Sequence, residues 1–195
     1  MEKLSNLKST AVPLPIEDVD TDQIIPARFL KATSKLGFGE NLFRDWRYDK
    51  EDQKNESFVL NNPNYSGSIL VAGKNFGCGS SREHAAWAIY GHGFKIVISS
   101  YFADIFQSNA LNNGILPIVL NEQQLDTVFQ EIEKDPNVIF EVNLEHQQLI
   151  FGKNVFGFEI DPYKKDCLLN GHDDIDYLLS IKEEIVAFEN QQVVY

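Results

Sequence analysis

The chain has 195 residues, 43% of them apolar and 24% charged, with a formal net charge of −12. This is the composition of a globular domain large enough to bury its own core, and its acidity excludes a general nucleic-acid-binding role. No apolar run is long enough to cross a bilayer, and two cysteines, Cys78 and Cys167, give no disulfide framework. Met1 to Thr10 lacks the apolar core of a secretory signal, so the expected compartment is a reducing cytoplasm.

Between Leu14 and Leu30, Asp18, Asp20 and Asp22 alternate around Val19 and Thr21. Short polar side chains there can bond their own backbone and make nothing more than a turn. The same corner can equally place Thr21, Asp22 and Arg28 beside a ligand, with Asp22 orienting a partner group and Arg28 pairing a carboxylate. A Ca²⁺ loop is excluded, since its glycine and closing glutamate are missing. All four arginines (Arg28, Arg44, Arg47 and Arg82) fall in the first 82 residues. In so acidic a chain that either provides local positive charge for a carboxylate substrate or is ordinary solvated surface.

Residues 31–68 carry no clear periodicity, with Gly37, Gly39, Pro63 and Gly67 as breakers and Phe43, Trp46, Tyr48, Phe58 and Tyr65 as aromatic islands. The pattern predicts an irregular, loop-rich segment whose aromatics either dock on a partner or pin the loop to its own domain.

From Ser68 the organisation is plain. An apolar strand, Ile69 to Ala72, leads through a glycine-rich turn into a helix that stops near Gly91 and Gly93. A strand from Phe94, a helix over about 101–112 with Phe102, Ile105, Phe106 and Leu111 on one side, and a strand from Ile115 to Leu120 follow. This βαβαβ order predicts neighbouring parallel strands, and Pro117 demotes the third to an edge or bulge. Asn121 and Gln124 open the next helix as a capping pair, with Leu125, Val128, Phe129 and Ile132 as its apolar stripe. Alternation from Val138 to Leu144, then Leu149 to Phe151 and Val155 to Ile160, predicts a second, more antiparallel sheet. A helix after Asp161-Pro162 breaks at Asn170-Gly171, and a last helix from about Asp173 is expected to bury Ile175, Leu178, Leu179, Ile185 and Val186. The whole, residues 1–195, reads as a single α/β domain.

The chemistry concentrates in Gly73 to His84. A glycine turn between a strand and a helix gathers backbone N–H groups at the positive end of a helix dipole, which favours an anion. A dinucleotide fingerprint fails because position 82 is arginine, and the Walker A spacing is absent. Ser80 and Glu83 fit a capping box, so Ser80 caps the helix on one reading. On the other its hydroxyl is a base or nucleophile, supported by Arg82 and the helix N-terminus. No nearby histidine supports a hydrolase triad; His84 and His92 read as structural, Cys78 as packed in the turn and Cys167 as core. Scattered histidines and two distant cysteines cannot assemble a zinc or iron–sulfur site within this chain.

Gly77-Cys78-Gly79-Ser80-Ser81-Arg82-Glu83-His84-Ala85 resembles the signature of the aconitase-superfamily swivel domain. Asp20-Thr21-Asp22-Gln23-Ile24-Ile25-Pro26, Asp45-Trp46-Arg47-Tyr48, Phe58-Val59-Leu60-Asn61 and Asn170-Gly171-His172-Asp173-Asp174-Ile175 narrow the resemblance to the small subunits of bacterial 3-isopropylmalate dehydratases. The resemblance implies a swivelling β/β/α domain that works with a large subunit carrying a 4Fe-4S cluster, with no metal of its own. It also implies the interconversion of 2- and 3-isopropylmalate in leucine biosynthesis. Carried over by position, Ser80 is the base and Arg82 the carboxylate clamp. Ser81, Thr21, Asp22 and, less strictly, Arg28 bind substrate, and Phe29 and Leu30 face its isopropyl group. A related hydratase acting on homoaconitate, citraconate or a dimethylmalate-type acid, or a non-catalytic anion-binding module, remains open at this stage.

Overall fold

The computed structural model describes residues 1–191. Two short strands, β1 (Asn6–Ser9) and β2 (Ala11–Leu14), open the chain and enter different sheets. One-turn helices α1 (Thr21–Ile24) and α2 (Arg44–Arg47) and three 3-10 turns make up the irregular third. The alternation β3 (Ile69–Ala72), α3 (Glu83–His92), β4 (Ile96–Ser99), α4 (Asp104–Asn112), β5 (Leu116–Val119) follows as expected. After it come α5 (Glu122–Lys134), the strands β6 (Phe140–Asn143), β7 (Gln148–Phe151) and β8 (Asn154–Gly157), and the helices α6 (Pro162–Asn170), α7 (Asp174–Ser180) and α8 (Lys182–Gln191).

The central sheet is all parallel, in the order β2-β3-β4-β5, with Ala11 beside Ile69, Ile69 beside Ile96 and Ile96 beside Leu116. Every residue of β3 and β4 is buried, as strands covered on both faces must be. Alternation sends Leu70 and Val97 toward α3 and α4, where Ala85, Ile89 and Phe106 pack. Ile69, Val71, Ile96 and Ile98 face the other way, onto Leu125, Val128 and Ile132 of α5 and onto Phe140, Val142 and Phe151. Those last residues belong to the antiparallel sheet β1-β6-β7-β8, so the molecule is a β/β/α stack. Pro117 lies on an edge strand, where its missing N–H costs no ladder bond. Pro13 occupies the opposite edge, which is how a proline-containing run serves as a fourth parallel strand that periodicity alone does not announce.

The aromatic islands of residues 31–68 pin that segment to its own domain. Phe43 is fully buried and stacks on Trp46 at 5.4 Å, and Phe58 meets both edge-on. The loop returns to the body where Gly39 meets Gly91: a Cβ on Gly39 would sit 2.1 Å from the Gly91 carbonyl carbon. α5 opens with the expected Asn121–Gln124 capping box.

Three expectations are corrected. Ile105 does not share the buried side of α4; it is 54% exposed, while Phe102 and Phe106 are buried. The helix after Asp173 is two helices, α7 and α8, and neither has a buried residue. Ile175, Leu178, Leu179 and Val186 are exposed and Ile185 only half-covered, because helical periodicity fixes which residues share a face and not whether anything lies against it. Finally, Ser80 does not cap α3. The cap position is Arg82, without a side-chain bond, and the Glu83 carboxylate is drawn instead to Trp87 Nε1 (3.1 Å) and Asn113 Nδ2 (3.1 Å).

Candidate active site

The turn after β3 takes a path open to glycine. Gly77 and Gly79 have φ of +78° and +87°, and a Cβ on Gly77 would lie 2.2 Å from Phe106 Cγ. Across from it runs the segment that leads into α1. The Gly77 N–H donates to the Val19 carbonyl (2.8 Å), and the Thr21 N–H donates to the Cys78 carbonyl (3.0 Å). Thr21 Oγ1 donates to the Ser80 carbonyl at 3.0 Å, and Thr21 is 2% exposed. Asp20 closes a capping box with Gln23 and so fixes the start of α1. Two stretches about 60 residues apart in sequence thus become one rigid corner.

On this corner Arg82 forms an ion pair with Asp22 from the first turn of α1. The Ser80 and Ser81 side chains are exposed and make no hydrogen bond among the described residues. The backbone N–H groups of Gly79, Ser80 and Ser81 also find no acceptor among those residues. Free hydroxyls, free N–H donors and a guanidinium beside a helix N-terminus form an arrangement that takes an anionic ligand and favours an alkoxide at serine. Thr21, Asp22, Ser80, Ser81 and Arg82 are therefore brought together as expected.

Arg28 is not joined to them. Its guanidinium grips Asp45 through both nitrogens and lies 4.7 Å over the Phe29 ring. The Arg28 hydrogen bond holds the Asp45 carboxyl below the usual range. With Arg44, Tyr48 and Asp49 the pair lines a polar cleft of about 630 Å³. Phe29 and Leu30 are half-buried against the core.

Cys78 packs in the turn with Sγ 3.4 Å from the Asp18 carbonyl. Burial first, then the Asp20 and Asp18 carboxylates, push its thiol up, which makes it a poor nucleophile. Cys167 is buried in α6. His84 Nε2 lies 3.2 Å from the Ala32 carbonyl and His92 Nδ1 3.2 Å from the Gly39 carbonyl, so both histidines are spent on tethering the loop. Among the described residues no three His, Cys, Asp or Glu side chains gather as a metal site, and no helix is long and apolar enough to cross a membrane. One brace was not read from sequence. Asn113, which marks a helix stop, also supports Glu83 at the foot of the turn, and the hydrogen bonds from Asn113 and Trp87 lower the Glu83 carboxyl.

The geometry agrees with the comparisons to known proteins. The Aconitase C-terminal domain family model matches residues 1–123 and LeuD_N matches residues 126–162. The 3-isopropylmalate dehydratase small subunit of Karelsulcia muelleri (strain GWSS) is 57% identical over 193 residues, 99% of this chain and 99% of its own length. The chain belongs to the family of 3-isopropylmalate dehydratase small subunits. Another family member, from Christiangramia forsetii, is 60% identical over 194 residues, 98% of this chain and 95% of its own. A solved 3-isopropylmalate dehydratase structure from Methanocaldococcus jannaschii superposes with a TM-score of 0.66 at 28% identity, covering 95% of this chain and 99% of that one. The β/β/α stack is thus the fold of this small-subunit family, and its glycine corner is where the chain concentrates free polar groups.

Proposed function

We propose that the chain works as the small subunit of a heteromeric hydro-lyase that interconverts 2- and 3-isopropylmalate in leucine biosynthesis, as its family membership supports. It acts as one swivel domain, residues 1–195, in the cytoplasm, with a small dicarboxylate as ligand and neither nucleic acid nor membrane as partner. The 4Fe-4S cluster belongs to the large subunit. This chain's scattered cysteines do not fit it, and when bound on the partner it supplies a Lewis acid for the departing hydroxyl.

The observation that carries the reading is the free Ser80 hydroxyl on a corner locked by Thr21, with Arg82 held alongside by Asp22. Ser80 Oγ takes the carbon-bound proton as an alkoxide and returns it in the reverse direction. The free N–H groups of the turn and the Arg82 charge stabilise that alkoxide. Arg82 forks onto a substrate carboxylate when that carboxylate displaces Asp22, and Asp22 keeps the guanidinium aimed until then. Thr21 and Ser81 complete the polar lining. Arg28 acts as a second carboxylate ligand only after exchanging Asp45 for substrate. Phe29 and Leu30 offer apolar surface to the isopropyl group, where a further polar group would lose its hydration.

The test is reconstitution with a cluster-loaded cognate large subunit, a panel of 2-hydroxy diacids, and the absorbance of the unsaturated intermediate as readout. Turnover is expected on isopropylmalate and not on homoaconitate, citraconate or dimethylmalate-type acids. Ser80→Ala is expected to lower kcat by about 10²–10⁴-fold, the usual worth of a positioned base, without disturbing assembly. Near-normal turnover by that variant would remove Ser80 from the base role.

A further inference from the structure

Asp18 and Asn75 face one another at the base of the Ser80 corner, and both are non-glycine residues held in the left-handed region, at φ +53° and +61°. The parallel pairing of β2 with β3 ends at Leu14 and Ala72 and is taken up again by Asp20 and Cys78. Both arms spend the same number of residues in between, so they leave the sheet and rejoin in step. Within that gap the Asp18 N–H donates to the Lys74 carbonyl (2.9 Å), and Asn75 Nδ2 donates to Asp18 Oδ1 (2.7 Å). Glycine, used at 77 and 79, would accept the same φ but has no side chain to cross the gap. Aspartate and asparagine tolerate this backbone and still bring an acceptor and a donor.

The place of Ser80 depends on that gap. Its hydroxyl makes no hydrogen bond among the described residues, so its position is set through its backbone, whose carbonyl accepts from Thr21 Oγ1 (3.0 Å). Between Asp18 and that bond the arms are joined by the Gly77 N–H on the Val19 carbonyl and the Thr21 N–H on the Cys78 carbonyl. A slip of one arm against the other at Asp18 is therefore carried to Ser80. Asp18 is exposed and Asn75 half-buried, so water competes for their bond and it adds little to stability. What it fixes is register. We infer that Asp18 and Asn75 are positioning residues for the reaction, clasping the two arms so that Ser80 Oγ lies within reach of the carbon-bound proton. This rests on Ser80 as the base in the functional reading above, and both residues act through Ser80 rather than on substrate.

The experiment uses the full chain with the cluster-loaded cognate large subunit and isopropylmalate, and measures kcat, KM and the urea midpoint. Asn75→Asp removes the donor with little change of shape and sets two carboxylates face to face. It is expected to lower kcat about tenfold, as small misplacement of a reacting group does, with KM and the urea midpoint close to wild type. Adding Asp18→Asn reverses donor and acceptor and restores the hydrogen bond, so most of the lost kcat should return, a coupling that independent sites do not show. Asn75→Gly keeps the left-handed backbone and removes the side chain; it should repeat the fall in kcat, and it serves where Asn75→Asp does not fold. Wild-type kcat in both Asn75 variants, or a loss in Asn75→Asp that Asp18→Asn does not reverse, would overturn the clasp and leave Ser80 as the base. A loss carried by KM alone, or only by a lower urea midpoint, would overturn the clasp in the same way. A wild-type chain without turnover, or Ser80→Ala with normal turnover, would overturn the functional reading and the clasp with it.

Discussion

Thr21 Oγ1 donates to the Ser80 carbonyl across 59 residues of sequence. Thr21 is almost wholly buried, and the Ser80 carbonyl also accepts from the Arg82 backbone N–H at 2.9 Å, so the two donors together hold this carbonyl in place. Thr21→Val keeps the shape and removes the donor. Losing this hydrogen bond while the Arg82 N–H still reaches the carbonyl is expected to cost about 0.5–1.5 kcal/mol of stability. Small displacement of Ser80 is expected to lower kcat about 10- to 100-fold with the large subunit. Thr21→Ser should restore most of both. Urea unfolding and steady-state kinetics on the three proteins check this, and equal kcat for Val and Ser would show that the bond does not position Ser80.

The two glycines of the turn separate conformation from space. Both have positive φ, but a Cβ on Gly77 would collide with Phe106 at 2.2 Å, whereas on Gly79 its nearest neighbour is Asp20 Cβ at an ordinary 3.5 Å. Gly79→Ala should therefore cost only the left-handed backbone penalty, about 1–2 kcal/mol. Gly77→Ala adds a clash with a buried ring, in the manner of overpacking that costs a further ~1–3 kcal/mol. Denaturant midpoints of the two variants should differ in that order.

How much of this was legible in the sequence follows from the range of the forces involved. β3, β4 and β5 announce themselves because strands buried on both faces are continuous apolar runs, and glycines end the helices between them. β2 hid behind Pro13, and β1 pairs with β6 across more than 130 residues, a contact no local pattern encodes. The Ser80–Glu83 cap fails because α3 begins at Glu83 with Arg82 at its cap, two residues past Ser80, and the Glu83 carboxylate turns to Trp87 and Asn113. The site residues were readable from local motifs, but their assembly was not: Asp22 meeting Arg82, and Asp45 rather than a ligand holding Arg28, are long-range outcomes.

Arg82→Lys keeps the charge and loses the planar fork. The ion pair with Asp22 is largely replaceable by an ammonium, so stability should change by less than about 1 kcal/mol. A substrate carboxylate gripped in two places is not replaceable in that way. The expected result is a fall of about 100-fold or more in kcat/KM, most of it in KM if the clamp acts on bound substrate and transition state alike. Unchanged kinetics would remove Arg82 from substrate binding.

His92 makes stability depend on pH. It sits where α3 ends against the loop, its Nδ1–H donating to the Gly39 carbonyl at 3.2 Å and its ring 5.5 Å from Phe94. Burial first, and then the nearby Arg47 guanidinium, lower its pKa below the ordinary 6.5; the Gly39 bond offsets this only in part. The folded chain therefore binds a proton at His92 less readily than the unfolded chain. Between the depressed folded value and about 6.5 the unfolded state carries more protons, so stability rises with pH across that window. The contribution is complete above the unfolded value and is lost as pH falls through the folded one. The Glu83 and Asp45 carboxyls, both lowered, are lost only at more acidic pH. Urea midpoints should thus fall between pH 7.5 and pH 5, and His92→Gln, which can still donate to Gly39, should flatten that slope. A slope unchanged in His92→Gln would place the acid sensitivity elsewhere.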